Sequence, residues 1–181
     1  MTVARARSAD AATSGRRRTG IRLALLAAPT GVALAATVLV SAPAQADTGG
    51  NAGPINGYGG CLDVWNATTE NFAPVQSFSC NGTDAQKWTL DTSGNTLHAL
   101  GKCLDVYHGG TDDGTTVELY DCNGTGAQVW IPQSNGAFYN PQSNKCLDDS
   151  NWSTGSIAQI WDCSGNANQS WNMSANMGRQ G

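Results

Sequence analysis

The chain has 181 residues, 14 of them acidic against 10 Lys and Arg, and most of its cations crowd the first 22 positions. Residues 47–181 keep only Lys87, Lys102, Lys145 and Arg179 against 13 acids, a net charge of −9. A surface of that sign repels phosphate backbones and anionic lipid, which excludes nucleic acid and makes acidic polysaccharides poor partners.

Residues 1–46 read as an address label. Arg5, Arg7, Arg16, Arg17, Arg18 and Arg22 precede an apolar run from Leu23 to Val40, and Ala44-Gln45-Ala46 then forms a small-x-small cleavage site. That order is the anatomy of a secretory signal peptide. A membrane anchor is the alternative, since the run has about the length a bilayer requires. Its alanine content and the cleavage site directly behind it favour export, so no membrane insertion is expected after cleavage. The Arg17-Arg18 pair leaves the general and twin-arginine routes both open.

The 135 residues from 47 to 181 suit one domain. They are poor in Leu, Ile and Val and rich in Gly, Asn, Thr and Ser, so a conventional large core is not expected. All six cysteines lie here, and an even number in an exported chain points to disulfides. Zinc would need close pairs such as Cys-x-x-Cys, and the sequence has none. Neither a metal nor a cofactor is expected.

Three landmarks recur. Cys61-Leu62-Asp63 returns as Cys103-Leu104-Asp105 and as Cys146-Leu147-Asp148, with starts 42 and 43 residues apart. Second cysteines follow at 80, 122 and 163. Eight residues beyond each comes the tryptophan of Gln-x-Trp: Gln86-Lys87-Trp88, Gln128-Val129-Trp130 and Gln169-Ser170-Trp171. Such self-similarity marks a repeat architecture. Equivalent cysteines should do equivalent things, which gives Cys61–Cys80, Cys103–Cys122 and Cys146–Cys163. A cyclic pattern, each unit bonded to the next, is also permitted by symmetry.

Within a unit the signals are short strands and polar turns. Thr115-Thr116-Val117-Glu118-Leu119-Tyr120 alternates weakly and starts β-branched, as a half-buried strand should. Asp91-Thr92-Ser93-Gly94-Asn95 and Ser134-Asn135-Gly136 are turn signals. No sustained helical period follows residue 47. Three all-β units predict a closed threefold barrel, whereas propellers of similar repeat length begin at about four blades.

Cys-Leu-Asp, a second cysteine and Gln-x-Trp, three times over, resemble the ricin B-type lectins and the related family 13 carbohydrate-binding modules. The resemblance covers about residues 54–175. It implies an all-β β-trefoil in which each unit gives four strands to a six-stranded barrel and a three-hairpin cap. Repeats would span about 54–96, 97–139 and 140–176, inside a lectin domain at 47–181.

A neutral sugar presents paired hydroxyls and one C–H face, so its site needs an accepting carboxylate, an aromatic ring and an amide that both donates and accepts. The family's pattern, counted from each Cys-Leu-Asp aspartate, implies these residues. The first unit supplies Asp63, Gln76, Phe78, Ala85 and Gln86, and the second Asp105, Glu118, Tyr120, Ala127 and Gln128. The third, two residues shorter in its loop, supplies Asp148, Gln159, Trp161, Asn168 and Gln169. Only this unit matches in full. Asn81 and Asn123 stand four residues before Ala85 and Ala127 and are candidates for the missing amide contact.

Bland roles compete with these. The three aspartates could brace turns, though a ring at matching spacing favours sugar contact. Trp88, Trp130 and Trp171 read as core. Trp65 and Trp152 read as loop packing or as surfaces that widen a site. His98 and His108 read as structural or surface residues. Asn66-Ala67-Thr68, Asn81-Gly82-Thr83 and Asn123-Gly124-Thr125 fit the glycosylation pattern but read as turns beside a bacterial-type leader.

A glycosidase needs two carboxylates about 5–9.5 Å apart, flanking the bond. Asp112-Asp113 and Asp148-Asp149 are sequence neighbours, and the other acids spread with the threefold repeat. No Gly-x-Ser-x-Gly or His-Glu-x-x-His occurs. Leader and repeats account for the chain, so no enzyme is expected. The expectation is a secreted, extracellular, monomeric lectin for galactose- or xylose-type glycans, gaining affinity for polymers through up to three sites. A protein-binding trefoil, such as a protease inhibitor or toxin partner, is the alternative that fold alone leaves open.

Overall fold

The structure is a computed structural model that describes residues 52–151, 153–173 and 177. The leader at 1–46, Trp152 and Arg179 lie outside the described residues.

Each unit supplies four strands. The first gives β1 (Ile55–Gly57), β2 (Gly60–Val64), β3 (Ala73–Phe78) and β4 (Thr89–Asp91). The second gives β5 (Thr96–Ala99), β6 (Lys102–Val106), β7 (Val117–Tyr120) and β8 (Ile131–Pro132). From the third come β9 (Phe138–Asn140), β10 (Lys145–Asp149), β11 (Ser156–Trp161) and β12 (Asn172–Met173). Among the described residues the helical pieces are single 3-10 turns, and no helix is long and apolar enough to cross a membrane.

Three antiparallel pairs, β1–β12, β4–β5 and β8–β9, are the staves of a barrel. Their seams close at the repeated tryptophans. Trp88 N donates to Gly53 O (2.9 Å), Trp130 N to Asn95 O (2.6 Å) and Trp171 N to Gly136 O (2.9 Å). The cap consists of the hairpins β2–β3, β6–β7 and β10–β11, joined through β3–β7, β3–β11 and the bridge Thr116–Gln159. This is the β-trefoil, and each strand among the described residues has at least one antiparallel partner.

The core joins the repeated leucines and tryptophans to the inward aliphatics of the strands, among them Ile55, Val75, Leu97, Leu119 and Ile160. Leu62, Leu104, Leu147, Trp88 and Trp130 are fully buried, with Trp171 3% exposed. Each indole N–H donates to the carbonyl of the Cys-Leu-Asp leucine in its own unit, at 2.8, 3.0 and 3.0 Å. Burying a tryptophan requires such a partner for its one polar atom. Cysteines pair within units, Cys61–Cys80, Cys103–Cys122 and Cys146–Cys163, closing sequence separations of 19, 19 and 17. In the chain-entropy model each closure stabilises by about 3 kcal/mol.

One strand is shorter than its sequence signal. β7 starts at Val117 rather than Thr115, because Thr115 closes a turn, donating from N and Oγ1 to Asp112 O (3.1 and 2.7 Å). Asp91 Oδ1 caps the expected turn after β4 by accepting from Ser93 N and Oγ.

Candidate carbohydrate-binding site

The third unit builds its site from one hairpin and one turn. Asp148 on β10 stands opposite Gln159 on β11, and Trp161, two residues on, shares the face of Gln159 because strand side chains alternate. The 3-10 turn Ala167–Gln169 brings two more amides. Gln159 Nε2 donates to Asp148 Oδ1 (3.1 Å), while Asn168 Nδ2 (2.7 Å) and Gln169 Nε2 (2.9 Å) donate to Oδ2. Gln169 is itself fixed, donating to Asp162 O (3.0 Å) and accepting from Ser164 N (2.8 Å). Burial raises the Asp148 pKa, and the Gln169 and Gln159 amides pull it back. The result is an oriented carboxylate beside an indole that is 44% exposed.

The first unit repeats this with one amide fewer. Gln76 and Gln86 donate to Asp63 at 2.9 and 3.0 Å, and Phe78 is partly exposed. Ala85 is buried and offers no amide. Asn81 does not supply one through its oxygen: Oδ1 accepts from Thr83 N and Oγ1 (3.0 and 2.7 Å) and braces the turn. Asn123 makes the same brace with Thr125.

The second unit differs most. Asp105 and Glu118 face each other across β6 and β7. Burial raises the Asp105 pKa, and the nearby Gln128 amide pulls it back. Glu118, at the amide position, is pushed up to about 7 by burial and then by the Asp105 charge. Both line a cavity of about 390 Å³ together with Tyr120, Asn123 and Ala127, and with Phe72, His108 and Gln142, which sequence reasoning missed as site residues.

Phe72 arrives from the preceding unit. Its N–H donates to Leu119 O (2.9 Å), as Gly114 N donates to Ile160 O and Gly155 N to Ser77 O. Each loop after an aspartate thus docks on the next unit's hairpin. Gly114 and Gly155 take positive φ there (+84° and +88°), and Phe72 takes +68°. A bulky residue held in the left-handed region is strained, and such residues cluster at functional sites. Its ring lies edge-on to Tyr120 at 5.1 Å. Aligning the three units shows the signal: phenylalanine where the others have glycine.

His98 lies against the Cys103–Cys122 disulfide and contacts Thr96 Oγ1 at 2.6 Å. Both sulfurs there are committed to the disulfide.

Residues 51–175 match the ricin-type beta-trefoil lectin domain. The chain belongs to that family. A ricin-type lectin domain is a non-catalytic carbohydrate-binding fold. Among relatives, Serine protease 1 of Rarobacter faecitabidus is 42% identical over 119 residues, 65% of this chain. The chain spans about a fifth of that relative's length, 22%. The designed threefold-symmetric protein ThreeFoil superposes with a TM-score of 0.61 at 34% identity, covering 65% of this chain and 94% of its own. A non-toxic homologue of type II RIPs from Momordica charantia, solved with α-methyl-D-galactoside, gives 0.60 at 25%, covering 67% and 46%.

Proposed function

We propose that this ricin-type domain is a secreted, monomeric lectin that binds galactose- or xylose-type glycans without catalysis, through up to three shallow sites. The observation that carries the reading is Asp148, held by three amides beside the exposed Trp161. A rigid carboxylate accepts from two adjacent hydroxyls, and the indole covers the C–H face. The galactoside in the Momordica charantia relative supports the galactose type. Extracellular residence is supported by three disulfides, which persist in oxidising compartments, and by the leader-like residues 1–46. Asp63, Asp105 and Asp148 sit one to a unit, an arrangement suited to repeated binding rather than to a catalytic dyad.

Retention of oxidised residues 47–181 on galactosyl, xylan and underivatised matrices tests this. Specific elution by one free sugar is expected, and it names the sugar type. Binding should survive EDTA, since glutamine rather than calcium orients each aspartate. Failure on all three matrices, with retention on a protein column, would replace the reading with a protein-binding trefoil.

A further inference from the structure

The second unit departs from the others at one buried position. Where β3 and β11 carry Gln76 and Gln159, whose amides donate to their aspartates, β7 carries Glu118 opposite Asp105. Glu118 is 5% exposed and Asp105 6%, and both open onto the cavity. The Glu118 carboxyl has no hydrogen-bond partner among the described residues. Lys102, on the same strand as Asp105, is spent on Asp121 (2.5 Å) and Asn71 (2.8 Å).

We infer that the second unit's site takes a sugar bearing an ammonium group, Asp105 and Glu118 receiving the charge while Tyr120 and Phe72 pack against the ring. The inference rests on the sugar-binding reading above and names the ligand class of one site. The paired hydroxyls of a neutral sugar can donate to the two carboxyls but bring no charge to offset theirs. An ammonium offers three donors and full charge to both. Ala127 replaces the amide that Asn168 presents to Asp148, which leaves room above Asp105. The aromatic wall adds to the attraction, since ring faces favour cations.

The pair is not placed for hydrolysis. Asp105 and Glu118 are direct cross-strand neighbours on one hairpin face, so both meet a ligand from the same side, whereas glycosidase carboxyls flank the bond. The titratable groups facing Glu118 are Asp105, His108 and Tyr120. With its carboxyl held at about 7, the empty pair carries a proton near neutrality that an ammonium displaces. Affinity therefore rises with pH through that value until the ligand's own amine deprotonates.

NMR titration of the oxidised protein tests this, with His108 and Phe72 ring signals reporting on the second site and the Trp161 indole on the third. Galactosamine and glucosamine are compared with their N-acetyl forms and with galactose. At least one free amine should bind at the second site roughly tenfold more tightly than its N-acetyl form, as a charge-assisted pair warrants. Glu118→Gln, which restores the residue of the other units, should abolish that preference and leave the Trp161 response unchanged. Equal shifts from amine and N-acetyl sugar would overturn the inference, as would equal shifts from n-butylamine. Silence at His108 and Phe72 with a sugar response at Trp161 would overturn it while sparing the lectin reading. Silence everywhere, with xylose added to the series, would overturn both.

Discussion

Gln169 Nε2 stands 2.9 Å from Asp148 Oδ2 while its Oε1 accepts the Ser164 N–H at 2.8 Å, so one buried amide fixes both the carboxylate and the loop behind the disulfide. The same link runs from Gln86 to Asp63 and Asn81 N, while Gln128 accepts from Asn123 N and donates to Asp121 O beside Asp105. Gln-x-Trp thereby has two outputs. Its glutamine fixes the aspartate of the candidate site and its tryptophan seals the barrel.

Asp148→Ala separates these roles. Removing the carboxylate leaves the amides of Gln159, Asn168 and Gln169 without their acceptor, and unmade buried hydrogen bonds cost about 1–3 kcal/mol each before water compensates. We expect a loss of roughly 2–4 kcal/mol in denaturant unfolding, with the disulfides holding the fold, and no sugar response at Trp161. Unchanged stability would mean the amides re-solvate and the carboxylate braces nothing.

Trp88, Trp130 and Trp171 make equivalent indole bonds at 2.8–3.0 Å and are at most 3% exposed. Phenylalanine in each place removes the bond and part of the volume, for an expected cost of about 1–3 kcal/mol. The three single variants should agree within about 1 kcal/mol, since independent equivalent sites behave alike. A single outlier would show that one seam carries the barrel.

The fold was legible because its landmarks are covalent or large. Cysteine and tryptophan spacing reveals the repeat, and repeat symmetry narrows the pairing to an intra-unit and a cyclic pattern, of which the structure has the first. Hydrogen-bond direction was less legible. The register places Gln76 and Gln159 against their aspartates, so these amides orient the carboxylate as well as Gln86 and Gln169 do. Asn81 and Asn123 commit their oxygens to threonines two residues on, a local competition that spacing alone does not reveal. Phe72 escaped because it acts in the next unit, across a docking that the one-unit pattern does not contain.

Phe72→Gly should change binding more than stability. The substitution relieves a left-handed backbone worth about 1–2 kcal/mol and loses an aromatic contact worth about 0.5–1.5 kcal/mol. Gly114 and Gly155 already adopt that backbone in the other units. Unfolding free energy should stay within about 1 kcal/mol of the parent, while ligand response at His108 weakens. Strong destabilisation without a binding change would make Phe72 a packing residue.

Glu118→Gln should stabilise the protein in a pH-dependent way. The Glu118 carboxyl titrates at about 7 when folded, against an ordinary 4.5. Between those values the folded state holds a proton that the unfolded chain has released, so its contribution to stability falls as pH rises through the window. Below 4.5 both states are protonated and the second buried charge is gone, so a glutamine has little left to relieve. Above 7 the folded state carries two adjacent buried charges, and glutamine removes one while supplying the donor that Gln76 supplies to Asp63. The variant's advantage in thermal melts should therefore be largest at pH 8, shrink across neutrality and nearly vanish below pH 4.5. An advantage that stays constant from pH 4 to pH 8 would show that Glu118 titrates as it does in the unfolded chain, with the cavity wet enough to solvate both carboxylates.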